Sequence, residues 1–370
     1  MTEANIVTEL LKREDIRVNA YYPQTDFLSA LGMKCIWTSR FLTKNENSFK
    51  ELENSIHTRM LKTAPPQNGE VYEVPCIHQE EIEKVELSKI LSSNFPVVVR
   101  GILKDSFAVN NWSLDYLKKN YGDALVPYLE DKDDKKRYDT PHYQKNIINK
   151  LRLSGLVDNI RSGQRKHAIS CASIFGSNEK ILEEVNFRKI EELFGCKILR
   201  PELFVAGSQS STYFHCAAGG NIFCQLHGEK RWIFVAPWHS AWIYPNVGHN
   251  PSATSFVSPV ITKKQEKDPS HYPLYNYIPK YTVQLSAGDI LFNPPWWWHE
   301  VSNLSESIGM PLRVPTGGSF QLTNLLYNCF TIFGSSIALE TLPKMLKNQL
   351  YLDVKRVMEA FPQKIGQERK

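Results

Sequence analysis

Between Lys197 and Val314 the chain is a series of short apolar runs separated by turn residues. Gly228 and Gly288 lie at two of these turns. Many short strands with turn signals between them are typical of a β-sandwich or a β-barrel. The runs that we predict as strands are residues 203–206, 212–215, 221–226, 231–236, 281–285, 289–293 and 307–314.

The rest of the chain shows longer, more helical patterns. At 370 residues it exceeds the roughly 250–300 at which a single core stops growing, so we expect one main core with helical additions, or two closely joined domains. The run Thr63-Ala-Pro-Pro-Gln-Asn-Gly69 breaks helix and strand alike and predicts a boundary. The fold class that follows is α+β, mainly β. We predict an N-terminal extension (1–69), a helical and α+β part (70–195), the β core (196–316) and C-terminal helices (317–370).

Composition argues against several classes of function. The formal net charge is only +5 and there is no arginine-rich tract or zinc-finger spacing, so no nucleic-acid partner is expected. The seven cysteines are scattered and never form C-x-x-C, which argues against a disulfide framework and against structural zinc. The polar N-terminus does not read as a secretory signal. We therefore expect an intracellular protein, cytoplasmic or nuclear.

One stretch, residues 314–339, carries no charged side chain and has to be checked as a membrane segment. Its apolar residues recur at helical spacing, but Asn324, Asn328 and Gly334 interrupt it. A spanning helix needs about 20 predominantly apolar residues. We therefore expect an amphipathic helix and no membrane partner.

Two histidines hold matching places in the β region. His215 closes one predicted strand, and His299 follows a hairpin, an apolar strand and three tryptophans in residues 287–299. A single histidine in a strand is more often a packed residue than a ligand. Imidazole nevertheless suits iron, copper, zinc and nickel, and strands hold ligands more rigidly than loops do. Because 84 residues separate the two, only the fold can bring them together.

The blocks around these histidines resemble a known family. The chain is similar to the JmjC and cupin-like oxygenases, and within them to the branch that contains the asparaginyl hydroxylase of hypoxia-inducible factor. The resemblance implies a double-stranded β-helix (jelly-roll, cupin) core, with Fe(II) as metal and 2-oxoglutarate as cosubstrate. The similar blocks, which together span about residues 70–316, are residues 96–104, 112–122, 203–215, 220–234 and 288–313.

The resemblance also implies roles for single residues. His215 and His299 match the two iron-binding histidines of the family. Lys230 matches the lysine that pairs with the distal carboxylate of 2-oxoglutarate, and Thr212 matches a hydroxyl donor to the same carboxylate. A dianion does need a fixed cation and hydrogen-bond donors in a partly dry pocket.

Three further residues are candidates for the cosubstrate pocket. Asn221 and Phe223 match family residues beside the cosubstrate, and Arg313 is a second candidate anchor because many related oxygenases place an arginine on the last strand. The plainer interpretation of Lys230 and Arg313 is that both are solvated charges at strand ends.

The sequence departs from the family at the metal site itself. The family motif is His-x-Asp or His-x-Glu, which completes a triad of two histidines and one carboxylate. Here the residues are His215-Cys216-Ala217, and a methyl group cannot bind a metal. Cys216 and Glu300 each follow a histidine directly, so both side chains should point to the opposite face of the strand. The chain therefore supplies two of the family's three ligands.

Three functions remain open on these residues. A chloride could occupy the position at Ala217, as in related iron halogenases, and the enzyme would chlorinate a C–H bond. Water could fill the same position in a two-histidine hydroxylase. A catalytically inactive protein could use the fold as a binding module, although the retention of His299, Lys230, Thr212 and Asn221 argues against decay.

The sequence does not specify the substrate, which we expect to be a protein side chain or a small molecule. Trp296–Trp298 and the insert at residues 237–280 are expected to shape its side of the site. The C-terminal helices are expected to form a homodimer interface or to cap the core.

Overall fold

The structure is a computed structural model in which the placed residues belong to one α+β assembly. The residues it describes are 23–43, 45, 47–130, 150–164, 166–168, 174–175, 180–198, 200–212, 214–217, 219–246, 255–260 and 270–314. The predicted C-terminal helices, and with them the predicted dimer interface, lie outside the described residues.

In this part of the chain one sheet has six strands in the order β1-β13-β11-β15-β9-β12. The pairs are antiparallel except β1 with β13. The strands are β1 (Val71–Glu73), β9 (His215–Ala217), β11 (Lys230–Val235), β12 (Ser255–Val257), β13 (Lys280–Leu285) and β15 (Trp298–Asn303).

The second sheet has ten strands within the described residues, in the order β2-β3-β14-β10-β16-β8-β6-β4-β5, with β7 also paired to β16. Its strands are β2 (Cys76–Ile77), β3 (Val97–Val99), β4 (Leu125–Glu130), β5 (Lys150–Arg152), β6 (Lys166–Ala168), β7 (Arg200–Pro201), β8 (Phe204–Ala206), β10 (Asn221–His227), β14 (Ile290–Asn293) and β16 (Ser307–Arg313).

Helices accompany both sheets. The α-helices are α1 (Phe27–Thr43), α2 (Lys50–Lys62), α3 (Phe107–Asn111), α4 (Leu114–Tyr121), α5 (Leu153–Arg161), α6 (Lys180–Val185) and α7 (Phe187–Phe194). Short 3₁₀ helices are Gln79–Lys84, Leu87–Ser92, Pro237–Ile243 and Pro273–Tyr277. Among the described residues, no helix is both long enough and apolar enough to cross a membrane.

Alternation along the strands sorts the apolar side chains into three layers. Residues Phe223, Leu291 and Val98 of the ten-stranded sheet pack with Trp232 and Phe234 of the six-stranded sheet, so this layer lies between the sheets. In the ten-stranded sheet, the residues on either side of Phe223, Leu291 and Val98 point outward and pack under helices α3 to α7. The outer face of the six-stranded sheet packs against α1 and α2. Both sheets are therefore covered on their outer faces in the part of the chain that the structure describes.

Most of the predicted strands are confirmed to within one or two residues, and the α+β class with them. Helix α2 lies in the more helical part of the chain that precedes the boundary predicted at Thr63, and Ser113 caps α4 by accepting a hydrogen bond from Tyr116 N at 3.1 Å. His215 is an exception, because it begins its strand rather than ending it. The strands between residues 71 and 168 were not all expected, since each is short and finds its partner only in the assembled sheets.

A substitution at Gly309 would test how closely the two sheets pack. An added Cβ there would lie 2.2 Å from Phe223 Cζ and 3.1 Å from Lys230 Cε. Overpacking of this kind costs roughly 1–3 kcal/mol, so we expect Gly309→Ala to lower the midpoint of thermal unfolding. Gly155→Ala is the matched control, because Gly155 lies inside α5, where alanine is favoured by about 1 kcal/mol. Equal midpoints for Gly309→Ala and wild type would contradict the described packing.

Candidate functional site

Strand β15 brings the two candidate ligands together. His299 lies directly opposite His215 of β9, and their ring centroids are 4.2 Å apart with planes inclined by 55°. On its other side His299 is opposite Phe234 of β11. Because metal–nitrogen bonds are about 2.0–2.1 Å long, two imidazoles at this separation are close enough to share one ion.

The environment of His299 keeps one ring nitrogen available. Its Nδ1 lies 2.9 Å from the carbonyl oxygen of Trp297, which can only accept, so Nδ1 carries the proton. Such a bond leaves Nε2 with its lone pair, the usual arrangement of metal-binding histidines. Burial, and then the proximity of His215, hold the pKa of His299 well below 6.5. The imidazole is therefore neutral, which is the form that binds a metal.

The third ligand position is not filled by any of the usual acidic or thiol groups. Within the described residues no cluster of three His, Cys, Asp or Glu side chains occurs. Cys216 is buried with Phe214 and Trp296 in the layer between the six-stranded sheet and helices α1 and α2, on the strand face opposite to His215. Glu300 lies between His299 and Val301 and so faces away from the site by strand alternation. Ala217 shares the more open strand face with His215.

A row of polar residues crosses the ten-stranded sheet at the same end of the sandwich. Asn221 of β10 is in register with Asn293 of β14 on one side and with Arg313 of β16 on the other. Asn293 Nδ2 lies 3.4 Å from His299 Nε2, which joins this row to the histidine pair. The side-chain oxygens of Asn221 and Asn293 are both buried and have no hydrogen-bond partner among the described residues.

Lys230 lies inside the sandwich. Lys230 is only 3% exposed, and its Nζ donates hydrogen bonds to Ser307 Oγ at 2.9 Å and to Asn303 Oδ1. Both partners are neutral, and no carboxylate forms an ion pair with Lys230 in the part of the chain that the structure describes. Burial lowers the pKa of Lys230 from 10.5 to about 7. A buried ammonium without a counter-ion favours the binding of an anion.

Thr212 and Arg313 occupy different surroundings. Thr212 is hydrogen-bonded to Val301 of β15, whose backbone N–H donates to Thr212 Oγ1 at 3.2 Å. Val301 lies two residues before Asn303, which binds Lys230. The hydroxyl proton of Thr212 remains available for a ligand. Arg313 already has partners: Gly219 O at 3.3 Å and the carboxylate of Glu202 at 3.6 Å. Lys230 therefore has the greater need of an anionic ligand.

Aromatic side chains line the interior between Lys230 and the histidines. Trp232, two residues along β11 from Lys230, has its ring centroid 5.4 Å from that of His299, with the planes inclined by 27°. Phe223 meets Trp232 edge-on at 4.9 Å. The indole Nε1 of Trp232 is buried and has no hydrogen-bond partner. These rings therefore lie along the interior between Lys230 and the histidine pair.

The three consecutive tryptophans are core residues. Trp296, Trp297 and Trp298 are each at most 1% exposed, so all three are packed in the core and present no open surface to a substrate. Trp297 Nε1 donates to Asn94 O and Trp298 Nε1 to Ser240 Oγ, both at 2.9 Å. Trp296 has φ +65°, a left-handed conformation that is costly for a bulky residue. Its backbone N–H donates to Ala217 O at 2.8 Å, which ties this turn to β9.

Sequence reasoning missed four residues of the site. Asn303 and Ser307 bind Lys230, Trp232 stacks on His299, and Asn293 contacts the same histidine. Two of them carried a signal in the sequence. Trp232 is at the i+2 position from Lys230 and so shares its strand face, and Asn293 is a polar residue that ends an otherwise apolar strand.

Comparisons with known proteins agree with this architecture. The family model described as a cupin-like domain matches residues 83–318. A Drosophila melanogaster protein named Jumonji C domain-containing protein 5 is 23% identical over 64% of this chain and 59% of its own length. JmjC domain-containing protein D of Dictyostelium discoideum is 26% identical over 58% of the chain and 50% of its own length. Human tRNA wybutosine-synthesizing protein 5 is 26% identical over 35% of the chain and 41% of its own length. The chain thus spans only about half of each of these relatives.

The buried lysine predicts a pH dependence of stability. Since the pKa of Lys230 is about 7 in the folded protein and 10.5 when unfolded, burying the charged form opposes folding fully below pH 7. This cost, at most about 5 kcal/mol, disappears as the pH rises toward 10.5. Urea unfolding at a series of pH values should therefore show wild type gaining stability relative to Lys230→Met between pH 7 and 10. A constant difference would contradict the burial of a charged Lys230, and exposed Lys118→Met controls for the loss of one lysine.

Proposed function

Because this chain belongs to the cupin-like domain family, we propose that it is an Fe(II)- and 2-oxoglutarate-dependent oxygenase that functionalises a C–H bond. The single observation that carries the proposal is the pairing, within one sandwich, of two converging histidines with a buried lysine that has no carboxylate partner. The first is suited to a metal and the second to a dianion. JmjC-named relatives support the same class.

We further propose that the two sheets form the double-stranded β-helix of the JmjC and cupin-like proteins. The antiparallel order β11-β15-β9 faces the antiparallel order β14-β10-β16-β8 across the interior layer, which supports this topology. Membership of the branch with the hypoxia-inducible-factor asparaginyl hydroxylase stays a prediction.

The residues fit Fe(II) as the metal. His215 and His299 would hold it, and the bond from His299 Nδ1 to Trp297 O fixes the ring so that Nε2 is presented. When bound, iron and 2-oxoglutarate supply the oxidising chemistry that this chain's own side chains lack. Trp232 and Phe234 pack against His299 and hold its ring in one orientation.

The residues fit 2-oxoglutarate as the cosubstrate. Lys230 would pair with the distal carboxylate, and Asn303 and Ser307 hold the ammonium in place. Thr212, which also contacts β15, would donate its hydroxyl proton to the same carboxylate. Asn221 and Phe223 would lie beside the cosubstrate. Arg313 remains the alternative anchor, disfavoured because Glu202 already pairs with it.

The substrate we propose is a protein side chain or a small molecule, and the site of action is inside the cell, in the cytoplasm or the nucleus. Among the described residues, Cys35, Cys76, Cys196 and Cys224 are free thiols, as expected in a reducing compartment. Although one relative is named for tRNA, we do not propose a nucleic-acid substrate for this chain.

A second candidate function rests on Ala217. Its strand face is that of His215, so the position that a carboxylate fills in the family is here lined by a methyl group. A chloride held there would make the enzyme a halogenase, whereas water would leave it a hydroxylase. An inactive binding module is the least favoured alternative, because it has no use for a buried Lys230 without a carboxylate partner.

The first test is an anaerobic titration of the full chain with Fe(II) and 2-oxoglutarate. We expect a visible charge-transfer band in wild type and none in His299→Ala. Lys230→Met should weaken 2-oxoglutarate binding roughly 10–100-fold, since a hydrogen bond to a charged group is worth about 1.5–3 kcal/mol. Arg313→Gln is the matched control and should bind nearly as wild type. A wild type without the band contradicts the proposal, and a loss confined to Arg313→Gln reassigns the anchor.

The second test concerns Ala217. We expect Ala217→Asp to bind Fe(II) more tightly than wild type, because the added carboxylate lies on the face of His215, whereas Ala217→Leu should not. The same titration is then repeated at increasing chloride. A charge-transfer band that responds to chloride in wild type but not in Ala217→Asp supports halogenation; a band indifferent to chloride supports hydroxylation. Unchanged Fe(II) affinity in Ala217→Asp would show that this position does not face the metal.

A further inference from the structure

Asn293 is a buried polar residue beside the Nε2 atom of His299. It ends the apolar strand Ile290–Asn293, is 3% exposed, and places its side-chain nitrogen 3.4 Å from His299 Nε2. Its side-chain oxygen is buried, and no described residue donates a hydrogen bond to it. Burying an amide oxygen unpaired costs about 1–3 kcal/mol, so such a group calls for an explanation.

The two ends of an asparagine amide are interchangeable in position. Oxygen and nitrogen of the amide have nearly the same shape, and their assignment follows from the hydrogen bonds around them. Turned by half a rotation, the Asn293 amide presents its oxygen to His299 Nε2 at the same 3.4 Å. Two atoms bound to one metal at about 2.0–2.2 Å lie roughly 3–3.5 Å apart. The observed distance is therefore that of two neighbouring ligands.

We propose that the side-chain oxygen of Asn293 is the third protein ligand of the metal held by His215 and His299. The proposal rests on the metal site of the proposed function and adds to it. It explains how a chain with Ala217 in place of the carboxylate can still offer three ligands: the missing one comes from β14 in the opposite sheet.

Asn221 supports this orientation of the amide. It is the register partner of Asn293 on the neighbouring strand, and its own buried side-chain oxygen also lacks a donor. Rotation of the Asn293 amide gives its oxygen to the metal and moves its N–H₂ group to the place of the unpaired oxygen, on the strand next to that of Asn221. As placed, the two amides leave two buried acceptors unpaired.

A neutral third ligand has chemical consequences. Two imidazoles and an amide carry no charge, so the divalent metal keeps its full +2 and attracts a dianionic cosubstrate more strongly than a site with a carboxylate does. Three of six positions remain, which suffice for a bidentate cosubstrate and oxygen. On this ligand set no position is left for a halide, so hydroxylation is the favoured outcome.

If Asn293 is instead only a hydrogen-bond donor to His299, its removal should change metal affinity in the opposite direction. If its N–H₂ group only donates a hydrogen bond to the lone pair of Nε2, the bond competes with the metal, and removing the amide strengthens metal binding. Affinity for a metal therefore separates the two roles without any assay of activity.

The experiment titrates Co(II) into the metal-free full chain, without 2-oxoglutarate, in competition with a chelating dye. We expect Asn293→Val to weaken Co(II) binding about 10–100-fold. Asn293→Asp should bind more tightly than wild type, since it adds a charged ligand at the same place. In the Ala217→Asp background, where a carboxylate already supplies the third ligand, Asn293→Val should cost much less than in wild type.

Thermal unfolding in the presence of a chelator checks that each variant is folded. Co(II) binding by Asn293→Val that equals or exceeds wild type overturns the inference while leaving the two-histidine site in place. A wild type that binds no Co(II) overturns both the inference and the proposed metal site. Tight Co(II) binding that Asn293→Val weakens, together with no 2-oxoglutarate-dependent iron band, supports the inference and overturns only the proposed cosubstrate.

Discussion

The site depends on the register of β15 between its two neighbours. In this register His299 lies opposite His215 on one side and Phe234 on the other, and Asn303 lies opposite Lys230. Because side chains alternate along a strand, a slip of one residue would turn His299 into the outer layer and bring Glu300 inside. The aromatic contacts of His299 and the two buried tryptophan hydrogen bonds beside it oppose such a slip.

The same register places Lys230 and the histidine pair at opposite ends of one interior. Lys230 is buried among neutral oxygens, and the aromatic rings of Trp232 and Phe223 lie between it and the histidines. In such surroundings electrostatic interactions are stronger than in water. On the proposed function, a dianion that spans the interior would neutralise Lys230 at one end and meet a metal held by the histidines at the other, so that the energetic cost of burying Lys230 would favour binding of that ligand.

The change at Ala217 alters this arrangement only locally. The strand still carries His215 in register, and the Trp296 N–H still holds Ala217 O. Strand β9 lacks a third metal ligand, but Asn293 of β14 in the facing sheet can supply one, because its side-chain amide contacts His299 Nε2. A ligand taken from the other sheet would make metal binding depend on how the two sheets pack, and not on one strand alone.

The sequence by itself determined the strand-rich region, the α+β class and the set of residues worth testing. Periodicity, turn glycines and the family-like blocks are local signals, and they named His215, His299, Lys230 and Ala217. Only the tertiary structure decided which groups meet across the chain. It paired Lys230 with Asn303 and Ser307, gave Arg313 to Glu202, buried all three tryptophans and set Asn293 beside His299. Register and sheet-to-sheet packing are properties of strands distant in sequence, so no local pattern records them.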